Sequence, residues 1–228
     1  MAKIIVLNNN TDHMETFWRE ENDPMPYNLN GTLRVREFRG SSTSPTLWTN
    51  RATMQAWNTL RSDWGGPIPV GFAFKRPWEG GHGNQSQHYA GTALDMGQSS
   101  FGWTNAQRAS LRATAINSGE WRYIEPVSLS PTWVHVDRRQ IPPACSAGYP
   151  TLRVGSRSTY VLVLQDGLNT VGLATGGLDG IFGNATYSAV MNYQSRKGLF
   201  VDGVVGCATW SALQIDVVGR GRTPTTID

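Results

Sequence analysis

The chain has 228 residues, 39% of them hydrophobic, with nine tryptophans and a formal net charge of +3. That is enough apolar chain to bury the core of one large domain or two small ones, which excludes a disordered polymer. The basic residues are dispersed rather than gathered into a stripe, and no window approaches the ~20 apolar residues of a membrane span, so neither nucleic acid nor membrane is an expected partner.

A mildly basic surface suits work beside an anionic polymer. At the N-terminus the apolar run is only Ile4 to Leu7, against the roughly 7–15 residues of a secretory signal, so no signal is expected. Two cysteines, Cys145 and Cys207, are too few for a disulfide scaffold. One bridge between them and two free thiols both remain open.

Taken in order, Lys3 to Leu7 reads as a short strand, and the polar, proline-containing stretch 8–30 as irregular. Leu33 to Phe38 alternates apolar and charged residues like a half-buried strand or an extended entry segment. Thr49 to Asp63 has Met54, Trp57, Leu60 and Arg61 at helical spacing and stops at Gly65-Gly66-Pro67. Ile68 to Phe74 reads as a central strand, followed by a glycine-rich loop to Asn84. Thr104 to Asn117 is a second helix, capped by Thr104 or Asn105 and stopped by Ser118-Gly119. Trp121–Glu125 and Thr132–Asp137 form a hairpin in which Glu125 lies across from Thr132 or Trp133. Residues 143–150, rich in proline, are a linker.

The chemistry concentrates in Gln85 to Met96, where His88 and Asp95 stand seven residues apart with Gly91 between them. Neutral imidazole and carboxylate are both good zinc ligands. The interval is too long for adjacent turns of one helix, so a turn at His88, a bend at Gly91 and a strand through Asp95 are needed to aim both at one point. In Thr-Trp-Val-His-Val-Asp, strand alternation puts Trp133, His135 and Asp137 on one face. An inward His135 would complete a His/Asp/His set with a fourth position left for water.

Ser-Gln-His-Tyr-Ala-Gly-Thr-Ala-Leu-Asp resembles the Ser-x-His-x-x-Gly-x-Ala-x-Asp signature of the zinc D-Ala-D-Ala carboxypeptidase and endolysin peptidase family, and Trp-Val-His-Val-Asp resembles its second histidine motif. The resemblance implies Zn2+ as cofactor, held by His88, Asp95 and His135. It also implies that Arg76 binds a substrate carboxylate, although the glycine and tyrosine that precede this arginine in the family are absent. Val-Arg-Glu-Phe is similar to the segment before the family's first core helix. Many members carry an acid three positions before the second histidine, where this chain has Thr132. Glu125 is then the expected general base, and Asp137 a carboxylate supporting His135. Ser86 either binds substrate or orders the loop, and His82 reads as a loop residue rather than a ligand.

Farther on, Leu178-Asp-Gly-Ile-Phe-Gly-Asn-Ala-Thr-Tyr-Ser-Ala-Val recurs 23 residues later as Val201-Asp-Gly-Val-Val-Gly-Cys-Ala-Thr-Trp-Ser-Ala-Leu. Each copy makes a glycine turn and then starts a helix, after a first helix over Val161 to Leu168. The stretch Arg153 to Gln214 is similar to the peptidoglycan-binding domain that accompanies many wall hydrolases. The expected architecture is α+β: a zinc peptidase domain with a small antiparallel sheet over residues 1–142, then an all-α three-helix bundle over 151–218 and a frayed polar tail over 219–228. The expected protein is a monomer acting outside the cell on the peptidoglycan stem peptide. The alternatives are a non-catalytic wall binder with a degenerate first domain and a glycan-cleaving lysin, which would need paired carboxylates instead of a metal set.

Overall fold

The computed structural model describes residues 1–141, 143–144 and 148–221. Its fold is mixed α+β, with two sheets and six α-helices among the described residues. Strand β1 (Ala2–Asn8) pairs antiparallel with β2 (His13–Arg19) and parallel with β3 (Thr46–Asn50), in the order β2-β1-β3. The first sheet is therefore mixed rather than antiparallel.

Strand β2 corrects the irregular reading of residues 8–30. Its polarity is inverted for an edge strand: Trp18 is exposed, while Glu15 turns inward to accept hydrogen bonds from Tyr27 and from Asn8 Nδ2 (2.9 Å). Residues 33–38 are corrected too. Val35–Arg39 is a short helix, α1, because Val35 and Phe38 are three apart and both fully buried. Glu37 Oε2 caps it by accepting from the Arg34 N–H at 2.7 Å.

Helix α2 (Arg51–Trp64) starts where Asn50 Oδ1 accepts from Thr53 N at 2.7 Å, and stops at Gly65, whose φ of 74° is left-handed. It buries Met54, Trp57 and Leu60. The expected central strand over 68–74 shrinks to β4 (Val70–Phe72), an edge strand of the second sheet, whose order is β4-β5-β7-β6. Pro69 has no N–H for a ladder, which fits an edge position. Strands β5 (Ala93–Met96), β6 (Tyr123–Ile124) and β7 (Val134–Asp137) complete this sheet, all antiparallel. Helix α3 (Asn105–Ser118) carries the expected Thr104 cap, with Gln107 N donating to Thr104 Oγ1 at 3.2 Å.

The C-terminal module is α4 (Thr159–Thr170), α5 (Asn184–Arg196) and α6 (Cys207–Val217). Its sequence repeat is also a hydrogen-bond repeat. Buried Gln165 donates to Asp179 Oδ1 (2.7 Å) and to Thr186 Oγ1 (3.2 Å), and buried Gln194 donates to Asp202 Oδ1 (2.9 Å) and Thr209 Oγ1 (3.2 Å). Each aspartate in turn accepts from the N–H two residues on, at 2.8 Å in both copies.

The two parts share one continuous core running from Ala2 to Val217. Tyr149, inside the expected linker, is fully buried between the rings of Tyr160 (5.1 Å) and Trp210 (4.9 Å). A buried tryptophan such as Trp210 removes some 150–250 Å² from water, a gross transfer term of about 4–6 kcal/mol. The tail begins docked rather than frayed: Gly219 N donates to Pro77 O (3.1 Å) and Gly221 N to Trp78 O (3.0 Å). The Cys145–Cys207 alternative rests on Cys145, which lies outside the described residues. No helix among the described residues is long and apolar enough to cross a membrane.

Candidate metal centre

Strands β5 and β7 place Asp95 directly opposite His135, so the two side chains are cross-strand neighbours on one face. Val134 and Val136 fill the core on the other face. His88 arrives from the preceding turn, in which Gly91 N donates to His88 O (3.1 Å) and Thr92 N to Gln87 O (3.1 Å). Gly91 has a φ of +66°, and a methyl group there would run into the Trp48 carbonyl. Gly91→Ala is expected to cost about 1–3 kcal/mol from the left-handed strain alone, with the clash added. A urea midpoint within error of the parent protein would refute this account of the bend.

Ligand atoms of His88, Asp95 and His135 all lie within 4.8 Å of one another. His88 Nε2 stands 3.3 Å from Asp95 Oδ2, and His135 Nδ1 stands 2.7 Å from Asp95 Oδ1. The other nitrogen of each ring is also held: His88 Nδ1 is 3.0 Å from Ala73 O, and His135 Nε2 is 3.2 Å from Asp137 Oδ2. Such outer partners fix ring orientation in metal sites. Asp137 is itself gripped by Arg139, through Nε to Oδ1 (2.9 Å) and Nη2 to Oδ2 (2.6 Å).

Charge in the cluster follows from these contacts. Burial alone would raise the Asp95 and Asp137 carboxyls; hydrogen bonds from His135 and His88 hold Asp95 well below the usual carboxylate range, and those from Arg139 and His135 hold Asp137 below it. Burial likewise works against a charged His135, but Asp137 and Asp95 outweigh it and push its pKa up to about 9. Two ionised carboxylates thus hold a proton on His135, in a pocket of donors for which a divalent cation would compete. The donor set, two imidazoles and one carboxylate with both outer nitrogens anchored, fits zinc.

These groups open into a cleft of about 330 Å³, also lined by Ser86, Glu125, Trp133 and Arg139. Glu125 is half-buried and its N–H donates to His135 O (3.0 Å), so it lies across from His135 rather than from Thr132 or Trp133. Asp137 is fully buried and touches the cleft-lining side chains of His135 and Arg139. The Ser86 hydroxyl accepts from His88 N at 3.3 Å, which orders the loop.

The substrate role expected of Arg76 is corrected by its surroundings. It is 1% exposed and forms a two-pronged ion pair with Asp166 of α4, Nε to Oδ2 at 2.8 Å and Nη2 to Oδ1. Its Nη1 donates to Ser44 Oγ (2.9 Å), and the guanidinium stacks over Trp48 at 4.9 Å. Binding a substrate carboxylate there would require evicting Asp166.

Of the cleft residues, Arg139 was missed in the sequence, and Trp133 was placed on the face of His135 without a role. Trp133 and Arg139 continue the alternation through His135 and Asp137, which was the available signal. The ring of His82 packs 4.4 Å from that of His88, and burial, then the neighbouring His88, push its pKa down to about 4, so it is neutral near pH 7 and lies outside the ligand set.

Comparison with known proteins bears on the other module. Residues 157–213 match the family model for the peptidoglycan binding domain. The chain is 44% identical over 55 residues to a spore cortex-lytic enzyme of Bacillus cereus, covering 24% of this chain and 21% of that one. It is 38% identical over 72 residues to the N-acetylmuramoyl-L-alanine amidase CwlM of Mycobacterium tuberculosis, covering 27% and 18%. The chain thus spans about a fifth of the length of these relatives. A peptidoglycan-binding protein of Clostridioides difficile, solved with glutamine hydroxamate, is 34% identical over 31% of this chain and 44% of that one, with a TM-score of 0.30. The matched residues are the helical C-terminal module, which is a peptidoglycan-binding domain.

Proposed function

We propose that the protein is a zinc-dependent peptidoglycan peptidase that hydrolyses stem-peptide bonds, as a carboxypeptidase or an endopeptidase, at the cell wall. The observation that carries this reading is the convergence of His88, Asp95 and His135 ligand atoms on one point in an open cleft. These three residues would hold the metal. When bound, zinc supplies Lewis acidity toward a scissile carbonyl and a nucleophile at neutral pH.

The remaining work falls to the chain. Ala73 O and Asp137 orient the two imidazoles, and Arg139 fixes Asp137. Glu125, at the cleft wall opposite His135, is the carboxylate placed to take a proton from the attacking water and return it to the leaving amine. The peptidoglycan-binding domain would raise the local concentration of scissile bonds. The relatives' names, a cortex-lytic enzyme and an amidase, support a wall-hydrolysing role without specifying this bond.

A second reading, a non-catalytic wall binder with a degenerate first domain, draws on Thr132. That residue faces an apolar groove beside α3 instead of the cleft, so no acid stands at the family's usual position. Elemental analysis of the purified chain and of His88→Ala, with release of peptide ends from purified wall, separates the two. The expected result is one zinc per chain, lost together with hydrolysis in the variant. No zinc and no hydrolysis after zinc is supplied would establish the non-catalytic reading. Persistence of hydrolysis under a chelator, with sugar ends freed instead, would point to a glycosidase.

A further inference from the structure

A second cavity, of about 260 Å³, shares Arg139 with the metal-centre cleft. Four arginines are among its lining residues: Arg122, Arg138 and Arg139 from the sheet domain and Arg157 from the peptidoglycan-binding domain. No carboxylate is among its described lining residues. Two of the four are partly neutralised from behind, Arg139 by Asp137 (2.6 Å) and Arg138 by Glu120 (3.2 Å). Arg122 and Arg157 are exposed, and the Arg157 contact is with a neutral acceptor, the Asp12 carbonyl at 3.4 Å. Four cations against two paired acids leave a surplus of two positive charges around one cavity.

A further contribution comes from the backbone. Ser158, Thr159 and Tyr160, the cap and first turn of the twelve-residue helix α4, line the same cavity. The start of a helix offers unpaired N–H groups and the positive end of its dipole, both of which favour an anion. A guanidinium fork matches the oxygens of phosphate or carboxylate in two-pronged geometry. Because Arg157 and α4 belong to one module and the other arginines to its neighbour, the cavity exists only with the two docked.

We propose that this cavity is a binding site for a compact oxyanion of the wall: a phosphodiester of a wall polymer or a carboxylate of a stem peptide. The site does not depend on zinc, so its failure and that of the peptidase reading are separable. The experiment is calorimetric titration of the full chain with inorganic phosphate, for the parent and for the Arg122→Gln/Arg157→Gln double variant. Both arginines are exposed, and circular dichroism confirms that the variant is folded.

The expected result is saturable binding that weakens with added salt and is about tenfold weaker in the variant. Displacement of phosphate by a glycerol-phosphate oligomer would identify the polymer as the source. Displacement by a stem peptide with free carboxyls, and not by its amidated form, would identify the peptide. No phosphate binding, or equal affinity in the variant, would overturn the site. Bound phosphate that neither fragment displaces would overturn its assignment to the wall.

Discussion

Asp166→Ala is expected to lower the stability of the chain by about 3–5 kcal/mol, the usual cost of breaking a buried ion pair from one side. Arg76 and Asp166 are each 1% exposed, and the carboxylate takes both the Nε and the Nη2 of the guanidinium. Asp166→Ala removes the carboxylate that takes both prongs of the guanidinium, and the Ser44 hydroxyl (2.9 Å) and the face of Trp48, which also touch Arg76, carry no charge to replace it. The loss should appear as a lower urea midpoint. A double variant, Arg76→Met with Asp166→Leu, should recover most of it, because the desolvation of both charges disappears together. A loss below about 1 kcal/mol for Asp166→Ala would mean that water reaches the pair and that the modules part in solution.

Glu125→Gln is expected to reduce turnover by about 10²–10⁴-fold while leaving zinc content unchanged. The amide preserves size and polarity but cannot accept a proton at neutral pH. Asp137→Asn should behave differently. Asp137 is fully buried and acts through His135 Nε2, so its loss should weaken zinc binding by about 10–100-fold and spare turnover of the zinc-saturated protein. Steady-state kinetics and zinc titration on the two variants distinguish proton transfer from ring positioning. Full turnover in Glu125→Gln would remove it as the base.

Much of the site was legible because its geometry is local. A seven-position interval from His88 to Asp95 with a glycine inside it, and strict alternation around His135, suffice to predict a turn, a bend and a strand. The C-terminal repeat was legible for a similar reason, since each aspartate-glycine turn is followed at once by the helix it starts. What escaped was non-local or inverted. Strand β2 hides because Glu15 faces inward and Trp18 outward. Strand β3 hides because it runs directly into the cap of α2 at Asn50. The Arg76 ion pair joins residues 90 apart, and nothing beside Arg76 in sequence announces Asp166. Glu125 was read with the wrong hairpin register, an error of two or three residues that decides which side chain it faces.

The docking of the two modules reaches the turn that carries His88. Tyr149 Oη donates to Ser86 O at 2.7 Å, Tyr160 Oη to Gln87 Oε1 at 2.7 Å, and Gln85 N to Gln214 Oε1 at 3.3 Å. Three consecutive residues ahead of the first imidazole are thus clamped by side chains from the linker and the C-terminal module. For protein engineering this means that the C-terminal module is no interchangeable tag. Grafting a different module onto residues 1–141 would strip the clamp from the turn that carries His88, and a chimera would need Tyr149, Tyr160 and Gln214 transplanted with it.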